Sequence, residues 1–145
     1  MRLIVLIVTL LISNVVLAED ISLNCQMSGT SSDNGKPRQI ASSPFLVSLS
    51  TGTSYLSINV DDSNGKAFIS LISQSSSDSV ATNLSNDSQY NLSVRYESYG
   101  TRGFERVQIN RKTGAAVFDK ELVSRGSKIN FHLSGVCKKI ESNKF

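Results

Sequence analysis

An all-β fold is what the sequence predicts: a small antiparallel up-and-down barrel or rolled sheet of about eight to nine strands, closed by one disulfide. Three observations predict it. Apolar residues alternate with polar ones at period two through almost the whole chain after Glu19, the pattern of strands with one buried face. Clusters of Gly, Asn, Asp and Ser separate the alternating runs, as turns require. The two cysteines, Cys25 and Cys137, stand near opposite ends of the chain and on the apolar parity of its first and last runs.

The N-terminal segment stands apart from this pattern. Met1 to Ala18 carries one cation, Arg2, then an apolar run to Leu17 broken only by Thr9, Ser13 and Asn14, and ends in Val16, Leu17 and Ala18 before the acids Glu19 and Asp20. Small or β-branched residues one and three positions before the cut suit a signal peptidase. The run is shorter than the roughly 20 residues a membrane-spanning helix needs. Residues 1–18 are therefore read as a signal peptide and 19–145 as a single β-barrel-like domain with no transmembrane segment. Export implies a periplasmic or secreted location, where an even cysteine count reads as a disulfide, here Cys25 to Cys137. Closing so long a loop is worth up to about 4.7 kcal/mol in the chain-entropy model.

The strands follow in order. Ile21, Leu23, Cys25 and Met27 mark the first; Phe45, Val47 and Leu49 the second; Leu56, Ile58 and Val60 the third; Ala67, Ile69 and Leu71 the fourth. Val80, Thr82 and Leu84, then Tyr90, Leu92, Val94 and Tyr96, then Val107 and Ile109 continue the series, and Ile129, Phe131, Leu133, Gly135 and Cys137 end it. Residues 115–126 are spaced for either element, so a strand to about Phe118 followed by a loop or short helix is expected. Ser28 to Ser43, with Gly29, Gly35 and Pro37, is long for a connection and reads as a mobile flap or a binding loop. Ser73 to Ser79 reads as a solvated turn.

Turn chemistry sets registers. Four-residue loops ending in Gly are read at Asp62–Gly65, Gly100–Gly103 and Arg111–Gly114, and a two-residue turn at Gly52 and Thr53. The first pairs Val60 with Ala67 and sets Asp61 beside Lys66. The second pairs Tyr96 with Val107 inside and Glu97 with Arg106 outside. The third pairs Val107 with Phe118 and Arg106 with Asp119; the fourth pairs Leu49 with Leu56. Arg106 then lies between Glu97 and Asp119 as a cross-strand ion bridge.

Several chemistries find no support. One histidine, His132, on the outward parity of the last strand, leaves no histidine-based metal cluster and no paired-histidine acid-base site. Neither GxSxG nor a phosphate-binding GxxxxGK[ST] occurs. Asp61 and Asp62 sit at a turn, where Asp is favoured for backbone reasons. Three N-x-[ST] sequons, at Asn83, Asn86 and Asn91, match the roughly 2.5 that 11 Asn and 33 Ser plus Thr produce by chance. No catalytic, cofactor-binding or metal-ligating residue is assigned, and the chain is not expected to be an enzyme.

Ile109, Asn110, Arg111, Lys112, Thr113 and Gly114, followed by Gly135, Val136, Cys137, Lys138 and Lys139, resemble the ending of many small exported proteins of Gram-negative bacteria. Those proteins share a signal peptide, an early cysteine, an NRxTG turn and a late GxC followed by basic residues. The resemblance covers mainly the last 30 residues. It implies periplasmic residence and the disulfide, and it implies no site.

Charge supplies the remaining clue. Residues 19–90 carry 3 cations and 7 anions, net −4, whereas residues 91–145 carry 11 and 5, net +6. With Arg106 set aside as paired, Arg95, Arg111, Lys112, Lys138 and Lys139 are candidates for a basic contact surface. An anionic envelope component or an acidic protein is the partner such a surface suits, and specific nucleic-acid recognition is not expected. The sequence thus points to a small exported binding or inhibitor-type module. The alternatives are an envelope hydrolase or isomerase with an unfamiliar carboxylate or serine site, which requires two acids in one pocket, and a structural or adhesive subunit.

Overall fold

The computed structural model describes residues 19–52 and 54–141, so the expected signal peptide of residues 1–18 lies outside the described residues. Nine strands form one antiparallel sheet: β1 (Glu19–Asp33), β2 (Lys36–Thr51), β3 (Leu56–Asp61), β4 (Ala67–Ile72), β5 (Ser79–Asn83), β6 (Gln89–Ser98), β7 (Thr101–Asn110), β8 (Ala115–Ser124) and β9 (Ser127–Lys139). Their order is β4-β3-β2-β1-β9-β8-β7-β6-β5. The first and last strands are therefore neighbours, and the sheet rolls into a nearly closed barrel. Cys25 lies opposite Cys137 in the β1–β9 register, and the two are joined in a disulfide spanning 112 positions of the chain.

Alternation built the core as expected. Cys25, Met27, Val47, Ile58, Val60, Leu71, Leu92, Val107 and Phe118 are fully buried, every one on the inward parity of its strand. The interior is thus a packed apolar cluster running from Ile21 to Cys137, where each fully buried Val, Leu or Ile contributes about 1.5–3 kcal/mol.

The registers bear out one hairpin and correct three. Val107 pairs with Phe118, Ile109 with Ala116 and Arg106 with Asp119, as the Arg111–Gly114 loop requires. Between β6 and β7 the turn is instead Tyr99–Gly100, with φ of 49° and 78°, so Tyr96 faces Gly103 and Glu97 faces Arg102. Two consecutive positive-φ residues make the tight hairpin turn that suits the strand twist. Gly103 is a strand residue; a Cβ there would lie 2.1 Å from the Tyr96 ring, which covers it. Leu49 pairs with Ile58, not Leu56, because Thr51 meets Leu56 across a longer connection. Val60 pairs with Ile69, not Ala67, and Asp61 with Ala67, not Lys66, because a bulge inserts one residue. That bulge lets Phe68 and Ile69, adjacent in sequence, both pack on the core.

Two segments differ from expectation in kind. Ser28 to Ser43 is not a loop: β1 and β2 run on to an Asn34–Gly35 turn, both residues at positive φ. Residues 115–126 hold no helix; β8 continues to Ser124 and turns at Arg125–Gly126, again both at positive φ. Ser73 to Ser79 is the irregular turn expected, held by the Ser76 amide donating to the Ser79 carbonyl at 2.9 Å.

The seam falls between β4 and β5, which share no ladder. Here β4 packs towards β6 and β7, and the inward-facing Lys120 of β8 donates to the Phe68 carbonyl on the edge strand. Lys120 also meets Glu105 at 2.9 Å, while Phe68 packs edge-on against Phe131 at 5.2 Å. An ion pair and two phenyl rings therefore plug this end of the barrel.

Candidate functional site

The opposite end is built differently. The parity that places Leu23 and Ile21, Val107 and Ile109, and Cys137 inside continues one step further to Glu19, Arg111 and Lys139. As the strands leave the barrel, the inward positions change from apolar to charged. A cavity of about 360 Å³ lies there, with Ile21, Leu23, Tyr90 and Ile109 beneath and Arg111, Lys112, Lys139 and Glu19 at its rim.

Local structure holds the rim in place. The Asn110 side-chain oxygen accepts from the amides of Lys112 and Thr113, both at 2.9 Å, and the Gly114 amide donates to the Asn110 carbonyl at 2.9 Å. Gly114 sits at φ 75°, and its carbonyl accepts from the Cys137 amide at 2.8 Å. The turn is thereby tied to the strand that bears the disulfide. The Arg111 amide donates to the Ser88 carbonyl at 2.9 Å, and its guanidinium lies 4.8 Å from the centre of the Tyr90 ring, a cation–π contact. Burial raises the Tyr90 hydroxyl above its ordinary pKa; the Arg111 guanidinium opposes the rise and Glu19 adds to it.

Glu19 is the one acid among the residues lining this cavity. It faces Lys139 at 4.0 Å, and both side chains are more than half exposed. Among the described residues, no ion pair engages Arg111 or Lys112. Three cations over one acid give the cavity mouth a net positive field.

The five residues expected to form a basic surface do not form one patch. Arg111, Lys112 and Lys139 share the mouth. Lys138, opposite Asn24, points to the outer wall beside it. Arg95 lies elsewhere: five residues along β6 from Tyr90, or about 16 Å of strand, its guanidinium 5.0 Å from the centre of the Phe104 ring. Three other cations of the basic half are matched, Arg106 with Asp119, Lys120 with Glu105 and Lys128 with Glu121.

A second concavity lies where the outer wall meets the plugged end, lined by Arg106, Asp119 and His132 together with Lys120 and Phe131. Arg106 donates through Nε and Nη2 to Oδ2 of Asp119 at 2.9 and 2.6 Å, and His132 Nδ1 lies 2.6 Å from the other carboxylate oxygen. Glu97, expected beside Arg106, instead faces Arg102. The groove has a volume of about 510 Å³, and Asp119 and Glu121 both line it. Each acid already faces a basic side chain, Asp119 with Arg106 and His132 and Glu121 with Lys128 at 3.0 Å. The His132–Asp119 contact was missed in the sequence, although a two-residue turn at Arg125–Gly126 places the two opposite each other.

At the β3–β4 turn, Asp62 Oδ1 accepts from the amides of Asn64 and Lys66 at 2.8 and 2.9 Å, which is turn chemistry as expected. Among the described residues no cluster of three or more His, Cys, Asp or Glu could hold a metal ion, and no helix is long and apolar enough to cross a membrane. No protein-family model, no curated protein and no solved structure matches this chain. Among the described residues, fold and site together define a small disulfide-joined β-barrel with an ion pair and two phenyl rings at one end and a cavity with a basic rim at the other.

Proposed function

We propose that this chain is an exported periplasmic or secreted binding module that holds an anionic group of an envelope component or a protein at the open end of its barrel. The convergence of Arg111, Lys112 and Lys139 on one cavity, by a turn tied to the disulfide strand, is the observation that carries the reading. The packed interior agrees with it, since a rigid core presents its rim at little cost in ordering. A disulfide joining the first and last strands suits an oxidising compartment.

The enzyme reading draws on the outer groove, where two carboxylates and a histidine share one concavity. Both carboxylates are already engaged by basic side chains, Asp119 by Arg106 and His132 and Glu121 by Lys128, so binding at the open end is the better reading of this protein.

Retention on phosphocellulose tests the proposal. The wild type is expected to be held at low salt and released at high salt. An Arg111→Ala/Lys112→Ala variant should elute early, while an Arg125→Ala/Lys128→Ala variant, with the same loss of charge, should behave as wild type. Equal elution of the two variants defeats the reading.

A further inference from the structure

Resting on that reading of the open end as an anion site, we infer that its ligand is a free single-chain amphiphile, one phosphate or carboxylate group bearing a short alkyl chain. The charged group meets Arg111, Lys112 and Lys139; the chain lies on Ile21, Leu23, Ile109 and the side of the Tyr90 ring.

Three features of the end lead there. The first is size. A cavity of about 360 Å³ corresponds to about twelve waters at roughly 30 Å³ each, several times what a bare tetrahedral anion fills. The cations line its rim, so the remaining volume lies below them, against the apolar floor.

The second is the asymmetry of the barrel. At the other end the Glu105–Lys120 pair and the half-buried rings of Phe68 and Phe131 stand over the interior. Among the described residues no such close ion pair or aromatic pair stands over the last apolar layer at this end. Ile21, Leu23 and Tyr90 each keep 8% of their surface exposed, against none for Met27, Val47, Ile58 and Val107 deeper in the barrel. Apolar core thus reaches solvent directly beneath a ring of charge. Water wets such a floor poorly, and an alkyl chain replaces it favourably.

The third is the rim's own acid. Glu19 faces Lys139 only at 4.0 Å, a weak contact between exposed groups. An entering anion takes over Lys139 and is repelled by Glu19. Removing that acid should therefore tighten binding, whereas loss of a purely structural carboxylate would not.

Calorimetric titration of the full mature chain with three probes below their micelle concentrations tests the inference: inorganic phosphate, octyl phosphate and octyl glucoside. Octyl phosphate should bind at least tenfold more tightly than phosphate, each methylene that is fully buried adding up to about fourfold, and octyl glucoside should not bind. Methyl resonances of Ile21, Leu23 and Ile109 should shift with octyl phosphate and stay put with phosphate. Glu19→Gln should tighten octyl phosphate binding about threefold, and Arg111→Ala/Lys112→Ala should abolish it while leaving the folded spectrum intact. Equal affinity for phosphate and octyl phosphate overturns the alkyl-chain assignment and leaves the anion reading standing. Binding to phosphatidylglycerol vesicles without binding to octyl phosphate overturns the free amphiphile in favour of a bilayer surface. No binding of any anion, together with no retention on phosphocellulose, overturns both.

Discussion

The Cys137 amide donates to the Gly114 carbonyl at 2.8 Å, which ties the turn bearing Arg111 and Lys112 to the strand bearing the disulfide. A Cβ at Gly114 would lie 2.2 Å from the Cys137 carbonyl oxygen, and the residue sits at φ 75°. Turn, strand and disulfide therefore form one unit at the open end of the barrel.

Gly114→Ala should disturb that unit in two measurable ways. Positive φ and the close backbone together cost about 1–3 kcal/mol, seen as a lower urea midpoint with unchanged slope. The displaced turn should also weaken retention on phosphocellulose. Unchanged stability would mean that the turn is not pressed against β9.

Replacing both Cys25 and Cys137 by Ala should cost about 2–5 kcal/mol, since the bridge closes a loop of more than 100 residues in the unfolded chain. Non-reducing peptide mapping should recover the linked peptides, and intact mass should show a secreted form beginning at Glu19.

At the plugged end, Lys120 and Glu105 are 24% and 11% exposed at the side chain. Lys120→Ala leaves the Glu105 carboxylate without its partner in a mostly dry site and should cost about 2–3 kcal/mol. The double change Lys120→Met/Glu105→Leu removes both charges and should return to within about 1 kcal/mol of wild type. If the double variant is no better than the single, the pair is not what sets the stability of this end.

Arg106 is 39% exposed, so its grip on Asp119 at 2.6 Å should be worth only about 0.5–1 kcal/mol in a double-mutant cycle. Arg106→Ala alone should leave the protein folded. Unfolding on that change would place the arginine in the core and contradict the β7–β8 register.

The hairpins show what was legible in the sequence and what was not. Val107 against Phe118 and Ile109 against Ala116 were readable because Arg111–Gly114 is a true four-residue loop. Tyr99–Gly100 and Arg125–Gly126 were not, because Tyr and Arg rarely adopt positive φ and carry no turn signal of their own. Asn34–Gly35 did carry one, the strongest that short hairpins have, hidden inside a stretch whose polar residues resembled a loop. The inward parity survived the errors at Tyr96, Leu49 and Val60, whose true offsets are even numbers of residues; it failed at Ala67, expected inside, because the one-residue bulge turns that residue outward and brings Phe68 to the core in its place. The rim was equally legible strand by strand: Glu19 precedes Ile21, and Arg111 follows Ile109 and Lys139 follows Cys137, at the same spacing. Arg95 stands apart from them because it lies on the outward parity of β6 and about 16 Å along that strand from Tyr90; what no local pattern records is the rolling of the sheet that brings the three rim residues to one cavity.

Asp62 gives the fold a pH dependence at the β3–β4 turn. Its carboxylate accepts the Lys66 and Asn64 amides, and these bonds, the Lys66 bond first, hold its pKa below the ordinary value of 3.8. A carboxyl group with a lowered folded pKa binds fewer protons folded than unfolded, so stability rises with pH across the interval between the two values. The contribution is complete above the unfolded pKa of about 3.9 and disappears as pH falls through the folded one. Asp62→Asn keeps an oxygen to accept the same amides and removes the titration. Urea midpoints of the wild type and the variant should therefore differ least at the acid end, where the carboxyl is protonated in both states, with the wild type gaining on the variant as pH is raised towards 4 and the difference constant from pH 5 upward. A difference that does not change between pH 2 and pH 6 would show that the carboxylate charge plays no part in holding this turn.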